Sequence, residues 1–286
     1  AEPALALGQD LLREVVAAAL VLMRPPILSG KHYAAPSVFT PENLLREARR
    51  QKGLGGTGVP EVCVLDPDGD IVDDLVAAGR ASRSPAWACY HTDLHLFALD
   101  GVEYGIVGGA VGAAFAVLVA EELFASGCRL LVSMTSAGQI VSDREPPYFV
   151  LVERALRDEG TSYHYQPPSE YSEADRGLID RVAPALSRVP IPVARGATWT
   201  TDAPFRETAE AIGACRARGV LAVEMEAAAL YAFARARGAS VLCFAHVTNR
   251  MARMSGDFEK GDADGARDAL EVISAATSAW RQTQDR

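Results

Sequence analysis

The chain has 286 residues, enough for one large α/β domain with a well-buried core, and two domains are not required. Nearly half of it is apolar (49%), which argues against disorder except at the ends. A formal charge of -9, with no basic run interleaved with aromatics, argues against a nucleic-acid-coating surface and confines any small anion to a local cationic pocket.

Residues 1 to about 58 read as a helical N-terminal extension, and 59 to 286 as the α/β domain. Leu11 to Met23 predicts a helix stopped by Pro25-Pro26. Its apolar stretch, Val15 to Met23, is too short to span a membrane, and Glu14 with no clear small-residue cleavage site argues against a secretory signal. Thr40 as N-cap and Pro41 at the first helical position predict a second helix, and Gly53 to Gly58 a joint.

Beyond the joint, strands and helices alternate. Val62 to Leu65 predicts a strand, Asp66-Pro-Asp-Gly-Asp70 a turn-rich acidic loop before a helix, and Gly105 to Gly108 another strand. Ala113 to Ala125 predicts a helix ended by Gly127, and Arg129 to Met134 a strand running into the small-residue turn Thr135-Ser-Ala-Gly138. Phe149 to Arg157 predicts a helix, Pro190 to Thr201 contains a strand, Ala227 to Arg237 is a helix closed by Gly238, and Ser240 to Thr248 is a strand. This order implies a mixed, mostly parallel central sheet flanked by helices, with ligands at the carboxyl ends of strands. Cys63, Cys89, Cys128, Cys215 and Cys243 are scattered without a C-x-x-C pair, which reads as a reduced, cytoplasmic protein without a zinc site.

The informative run is Ala222-Val-Glu-Met-Glu-Ala-Ala-Ala-Leu-Tyr231, where Glu224 and Glu226 interrupt an apolar stretch at the start of a helix. The plainer reading is that carboxylates favour a helix N-terminus. The sharper one is that a carboxylate there accepts both hydrogen bonds of a ribose diol, while Met225 packs on the sugar face.

This run resembles the ribose-binding segment of methylthioadenosine/S-adenosylhomocysteine nucleosidases, and is similar to that of uridine phosphorylases and hexameric purine nucleoside phosphorylases. Leu131-Val-Ser-Met-Thr-Ser-Ala-Gly138 resembles the family's strand and turn at the nucleophile site, Gly109-Ala-Val-Gly112 its glycine-rich turn, and Val247-Thr-Asn249 the strand end that meets the base. The resemblance covers roughly residues 60 to 275, in the family's order. It implies a nucleoside phosphorylase-like fold, a homo-oligomer, a nucleoside as substrate and no cofactor. It also implies cleavage of the N-glycosidic bond through an oxocarbenium-like sugar. By resemblance Glu226 takes the ribose hydroxyls, Ser133, Ser136 and Gly138 line the nucleophile site, and Asn249 and Arg250 face the base. Phe205 and Glu207, in Thr201-Thr-Asp-Ala-Pro-Phe-Arg-Glu-Thr208, resemble the base-side loop, although Phe205 also suits ordinary core packing.

The departures concern the nucleophile. Phosphorylases hold phosphate with backbone amides and two or three arginines. Where the uridine phosphorylase pattern has arginines, this chain has Ser133, Ile71 and, from a neighbouring subunit, a position near Tyr90. The first loop carries three aspartates instead, and by resemblance to the nucleosidases Asp70 is the general base for water, although Asp-Pro-Asp-Gly-Asp is also good turn chemistry and assigns no metal. Nucleosidases place an acid where this chain has Asn249, whereas trimeric purine nucleoside phosphorylases use an asparagine there with a Pro-x-x-Glu-Thr segment like Pro204 to Thr208; Asn249-Arg250 also resembles uridine phosphorylases. The base therefore stays open between purine and pyrimidine, and the nucleophile between phosphate as co-substrate and water. Lys31, Arg46, Arg49, Arg50 and Lys52 offer an alternative phosphate-binding set, against which a solvated helix face is the plainer reading. A non-catalytic nucleoside-binding protein is the alternative from another class. His32, His91, His95, His164 and His246 have no metal-like spacing.

Overall fold

The computed structural model describes residues 25–56, 58–251, 258 and 260–282. It divides into two units, Ala1–Ala35 and Pro36–Arg286. The described part of the first is residues 25–35, with one 3-10 turn over Pro26–Leu28. The helix expected from Leu11 to Met23 lies outside the described residues.

The second unit begins with helix α1 (Pro41–Lys52). Thr40 accepts the Asn43 N–H at 3.3 Å, Pro41 stands at the first helical position, and Gly53 ends the helix with φ 63°. Leu45 and Ala48 are buried together with Ala88, so this helix shares a small core with the α/β unit.

The strands are β1 (Val62–Asp66), β2 (Ala81–Arg83), β3 (His95–Leu99), β4 (Val102–Gly108), β5 (Leu130–Gln139), β6 (Tyr148–Asp158), β7 (Tyr171–Glu173), β8 (Val193–Thr201), β9 (Val220–Glu224) and β10 (Ser240–Asn249). They form one sheet in the order β10-β6-β8-β9-β5-β1-β4-β3-β2, with β7 beside β6 and β10 also paired with β5. Strands β5, β10, β6, β8 and β9 thereby close into a ring, from which the other strands of the path extend. Pairing is parallel along β4, β1, β5 and β10 and along β6, β8 and β9; the two series meet antiparallel at β10–β6 and β5–β9.

Helices cover both faces. One core layer joins the sheet to α2 (Ala113–Ala125) and α3 (Ala227–Arg237) through residues such as Ala116, Leu123, Leu230 and Phe233. The other joins it to the helices Asp70–Ala77, Arg176–Leu186 and Ala266–Arg281 through Leu75, Leu178, Ile273 and Trp280. The latter two helices, the helix Ala209–Ala217 and the strands β2, β3, β7 and β9 are not among the elements expected from the sequence.

Two expectations are corrected. Phe149 to Arg157 is strand, not helix, because β6 is buried on both faces: Tyr148, Val150 and Val152 enter one core while Phe149 and Leu151 enter the other. A run buried on both faces loses the alternation that marks a strand. Thr135 to Gly138 is no turn but the continuation of β5, paired along β10 as far as Gly138. Ala222 to Glu224 ends β9, a strand not expected from the sequence, and the following helix starts at Ala227 as expected.

Two glycines separate local from tertiary constraint. Gly238 ends α3 with φ 66° and nothing near the position of a Cβ, whereas at Gly265 (φ 80°) a Cβ would strike the His246 ring and stand 2.6 Å from the Lys260 carbonyl oxygen. Gly265→Ala is therefore expected to destabilise the fold by at least about 2 kcal/mol and Gly238→Ala by about 1 kcal/mol, as read by denaturant unfolding. Equal losses would show that the His246 contact carries no strain.

Candidate active site

Asp68, Ser136, Gly138, Glu224, Glu226 and Asn249 lie at or just beyond the carboxyl ends of β1, β5, β9 and β10. Glu224, the last residue of β9, is buried and accepts four hydrogen bonds. Its Oε1 takes the hydroxyls of Thr198 (3.1 Å) and Thr200 (2.5 Å), and its Oε2 takes the backbone N–H groups of Glu226 and Ala227, both at 2.7 Å. Glu224 is thus the carboxylate that satisfies the start of α3. Burial raises its pKa against those four bonds.

Glu226, two residues on and only 1% exposed, points elsewhere. Its Oε1 accepts the Gly112 N–H at 2.7 Å and its Oε2 the Met225 N–H at 3.3 Å. Gly112 has φ 88°, which lets the glycine-rich turn aim its amide at the carboxylate. Burial and the neighbouring Glu224 charge lift Glu226 to about 8, opposed by Gly112 and by the Thr135 hydroxyl.

Thr135 lies on β5, between the other small residues of interest. Ser133 is buried and its hydroxyl has no hydrogen-bond partner. Ser136 donates its N–H and its hydroxyl to Asp68, at 2.7 and 2.9 Å. At Gly138 a Cβ would stand 2.5 Å from Met251 Sδ and 3.3 Å from Val223, so a side chain there would displace the Met251 thioether. Alongside, buried Asn249 accepts the Met251 N–H at 2.9 Å and donates to Thr248 at 3.2 Å.

The acidic turn is tied down residue by residue. Asp66 accepts the Val72 N–H at 2.9 Å, and burial lifts its carboxyl to about 7, helped by the charges of Asp68 and Asp70. Asp70 is paired with Lys260, a cation the sequence reading did not bring to the site. Burial draws the Lys260 ammonium down, but the Asp70 and Asp68 carboxylates outweigh it, so its pKa is raised. Next to Lys260, His246 stacks on Phe149 with centroids 4.3 Å apart, and burial, then Lys260, lowers it to about 4, so it is neutral.

The loop after β8 is open. Phe205 is fully exposed on the 3-10 turn Pro204–Arg206, so it fills no core position. Glu207 is partly buried, which lifts it to about 7. Arg250 pairs with Glu145. Of the N-terminal cations, Arg46 and Arg50 pair with Glu47 on an exposed face and Lys52 donates to the Cys89 carbonyl at 2.5 Å. Two cavities of about 610 and 550 Å³ open instead around Gly238 to Ser240, at the far end of α3 from Glu226, away from these groups. Among the described residues, no cluster of His, Cys, Asp and Glu could hold a metal, no helix is long and apolar enough to cross a membrane, and the five cysteines are buried and free.

At its strand ends this closed mixed sheet presents a buried carboxylate, a glycine-rich turn and a row of hydroxyls. Residues 61–279 match the family described as the phosphorylase superfamily, and the chain belongs to it. A guanosine phosphorylase of Halorubrum lacusprofundi is 27% identical over 193 residues, 63% of this chain and 80% of that protein. Two crystal structures of uridine phosphorylase from Vibrio fischeri, one with 6-hydroxy-1-naphthoic acid, share the fold at 21% identity. Their TM-scores are 0.65 and 0.62, and the matches cover 78% and 80% of this chain and 93% of each of those.

The burial of Glu226 has a stability consequence with a definite sign. Its pKa rises from 4.5 to about 8 on folding, so the stability that the neutral form supplies is full below about pH 4.5 and is lost as the pH rises through about 8. Glu226→Gln is expected to be more stable than wild type at pH 8 by about 2 kcal/mol or more, with the gap closing at pH 5. A gap that does not change with pH in thermal unfolding would remove the buried-charge argument.

Proposed function

We propose that the protein cleaves the N-glycosidic bond of a purine nucleoside, with Glu226 holding the ribose hydroxyls and water as the nucleophile. The observation that carries this reading is the Glu226 carboxylate, buried at the start of α3 and faced by the Gly112 amide. A ribose diol supplies two donors to such a group and stabilises its ionised form. That negative charge in turn stabilises the positive sugar of an oxocarbenium-like transition state. Met225 N–H holds one oxygen of the pair in place.

Support for a purine comes from the 27% identical relative, whose name gives guanosine, and from Glu207. With a pKa near 7, Glu207 can exchange a proton with the departing base at neutral pH. Asn249 is assigned to the same base through its amide. Support for water comes from the nucleophile side, where Ser133 and Ile71 stand in place of arginines. Asp70, the general base expected from the sequence, pairs with Lys260 and Asp68 accepts both donors of Ser136, and we assign the carboxylates of this turn to orient water. Phosphorolysis is the second reading, favoured by the named activity of the same relative.

One assay separates the readings: a nucleoside panel incubated with and without inorganic phosphate, with the sugar product identified. Free ribose at equal rates in both buffers is the expected result, and strict phosphate dependence with ribose 1-phosphate as product selects phosphorolysis. Glu226→Ala is expected to lower kcat/KM by about a thousandfold on the best substrate, and removal of the 2'-hydroxyl by less. Near-wild-type turnover by the variant would end the ribose assignment, and saturable binding of nucleosides without any cleavage would make the protein a binder.

A further inference from the structure

The acidic turn that follows β1 ends on donors suited to an oxyanion. Asp68 takes both donors of Ser136 in a fork, N–H on Oδ2 at 2.7 Å and hydroxyl on Oδ1 at 2.9 Å. Two residues on, Asp70 takes the Lys260 ammonium, and the Asp68 charge acts on the same ammonium. A backbone amide, a hydroxyl and an ammonium are the groups that bind phosphate or sulfate through charge-assisted hydrogen bonds. Ser136 follows Thr135, whose hydroxyl acts on Glu226, along β5, so one strand end carries both this donor set and a partner of the ribose carboxylate. The chain fills this donor set with its own carboxylates.

We propose that the turn is a built-in anion: Asp68 and Asp70 occupy the oxyanion donors of the nucleophile pocket and so exclude inorganic phosphate in favour of water. The inference deepens the reading of water as nucleophile and rests on it. Its physics is competition. A carboxylate tethered two or three bonds from its backbone competes at an effective concentration of mM or more, without the entropy of capturing a free ion. Phosphate, with a charge of roughly -1.5 to -2, would have to displace both carboxylates and then remain beside them. Neutral water meets neither barrier and gains an acceptor. The specificity therefore lies in what the site already contains, and not only in the arginines it lacks.

The test is calorimetric titration of inorganic phosphate into the full chain as wild type, Asp68→Asn, Asp70→Asn and the double variant, with circular dichroism confirming the fold. The double variant is expected to bind phosphate at least about tenfold more tightly than wild type. Adding Lys260→Met to it should abolish that gain. Each single variant, expected to gain about threefold, answers the same question should the double variant fail to fold. No gain in any of these variants, or a gain that Lys260→Met leaves intact, overturns the proposal. The wild-type cleavage assay tells the two failures apart. If wild type itself requires phosphate, the water reading and this inference fall together; if it is indifferent to phosphate and the variants still gain no affinity, this inference falls alone.

Discussion

The Glu224 carboxylate is the interaction on which the site depends. With no cation beside it among its hydrogen-bond partners, it is held inside the protein by two threonine hydroxyls of β8 and two amides at the start of α3. These four bonds fasten β8, the end of β9 and the helix into one body. Thr200 adds a second link, accepting the Ala228 N–H at 2.9 Å. The direction in which Glu226 leaves the chain follows from this, as does the meeting of that carboxylate with the Gly112 amide more than a hundred residues earlier.

Much of this was legible in the sequence, for local reasons. Thr40-Pro41 and Gly53 bracket α1, and Gly238 closes α3, because capping chemistry is written within a few residues of where it acts. The strand β6 was not legible, since Phe149 to Val152 supplies two cores at once and shows no period. Glu224 and Glu226 look alike as letters two apart, but one closes a helix start and the other faces the glycine-rich turn. In a continuing strand residues two apart would share a face, and what tells them apart is that β9 ends at Glu224 and the chain turns into α3 through Glu226. Lys260 was out of reach for another reason. It is 190 residues from Asp70, and nothing in its neighbourhood marks it as a partner for an acidic turn.

The site also concentrates carboxyl groups held away from their ordinary ionisation. Asp66 and Glu207 stand near 7 and Glu226 near 8, each chiefly through burial, while His246 is driven to about 4 and kept neutral. Groups placed this way exchange protons readily near neutral pH, and they reduce the stability of the fold that contains them. The surrounding hydroxyls and amides limit that loss, and the apolar layers on both faces of the sheet carry the rest of the molecule.

The closed ring of strands bears on how the protein meets other molecules. Because β10 pairs with both β5 and β6, the strands of the ring have neighbours on either side over part of their length, and the strands that end the sheet among the described residues are β2 and β7, three residues each. Arg83 on β2 and Glu173 on β7 are exposed there. Such short, charged borders give an incoming strand almost no backbone ladder to extend. Association with another copy or another protein therefore has to be written in side chains on helices and loops, which change quickly under mutation. Among the described residues, the strands that end the sheet thus offer templated aggregation only short, charged borders.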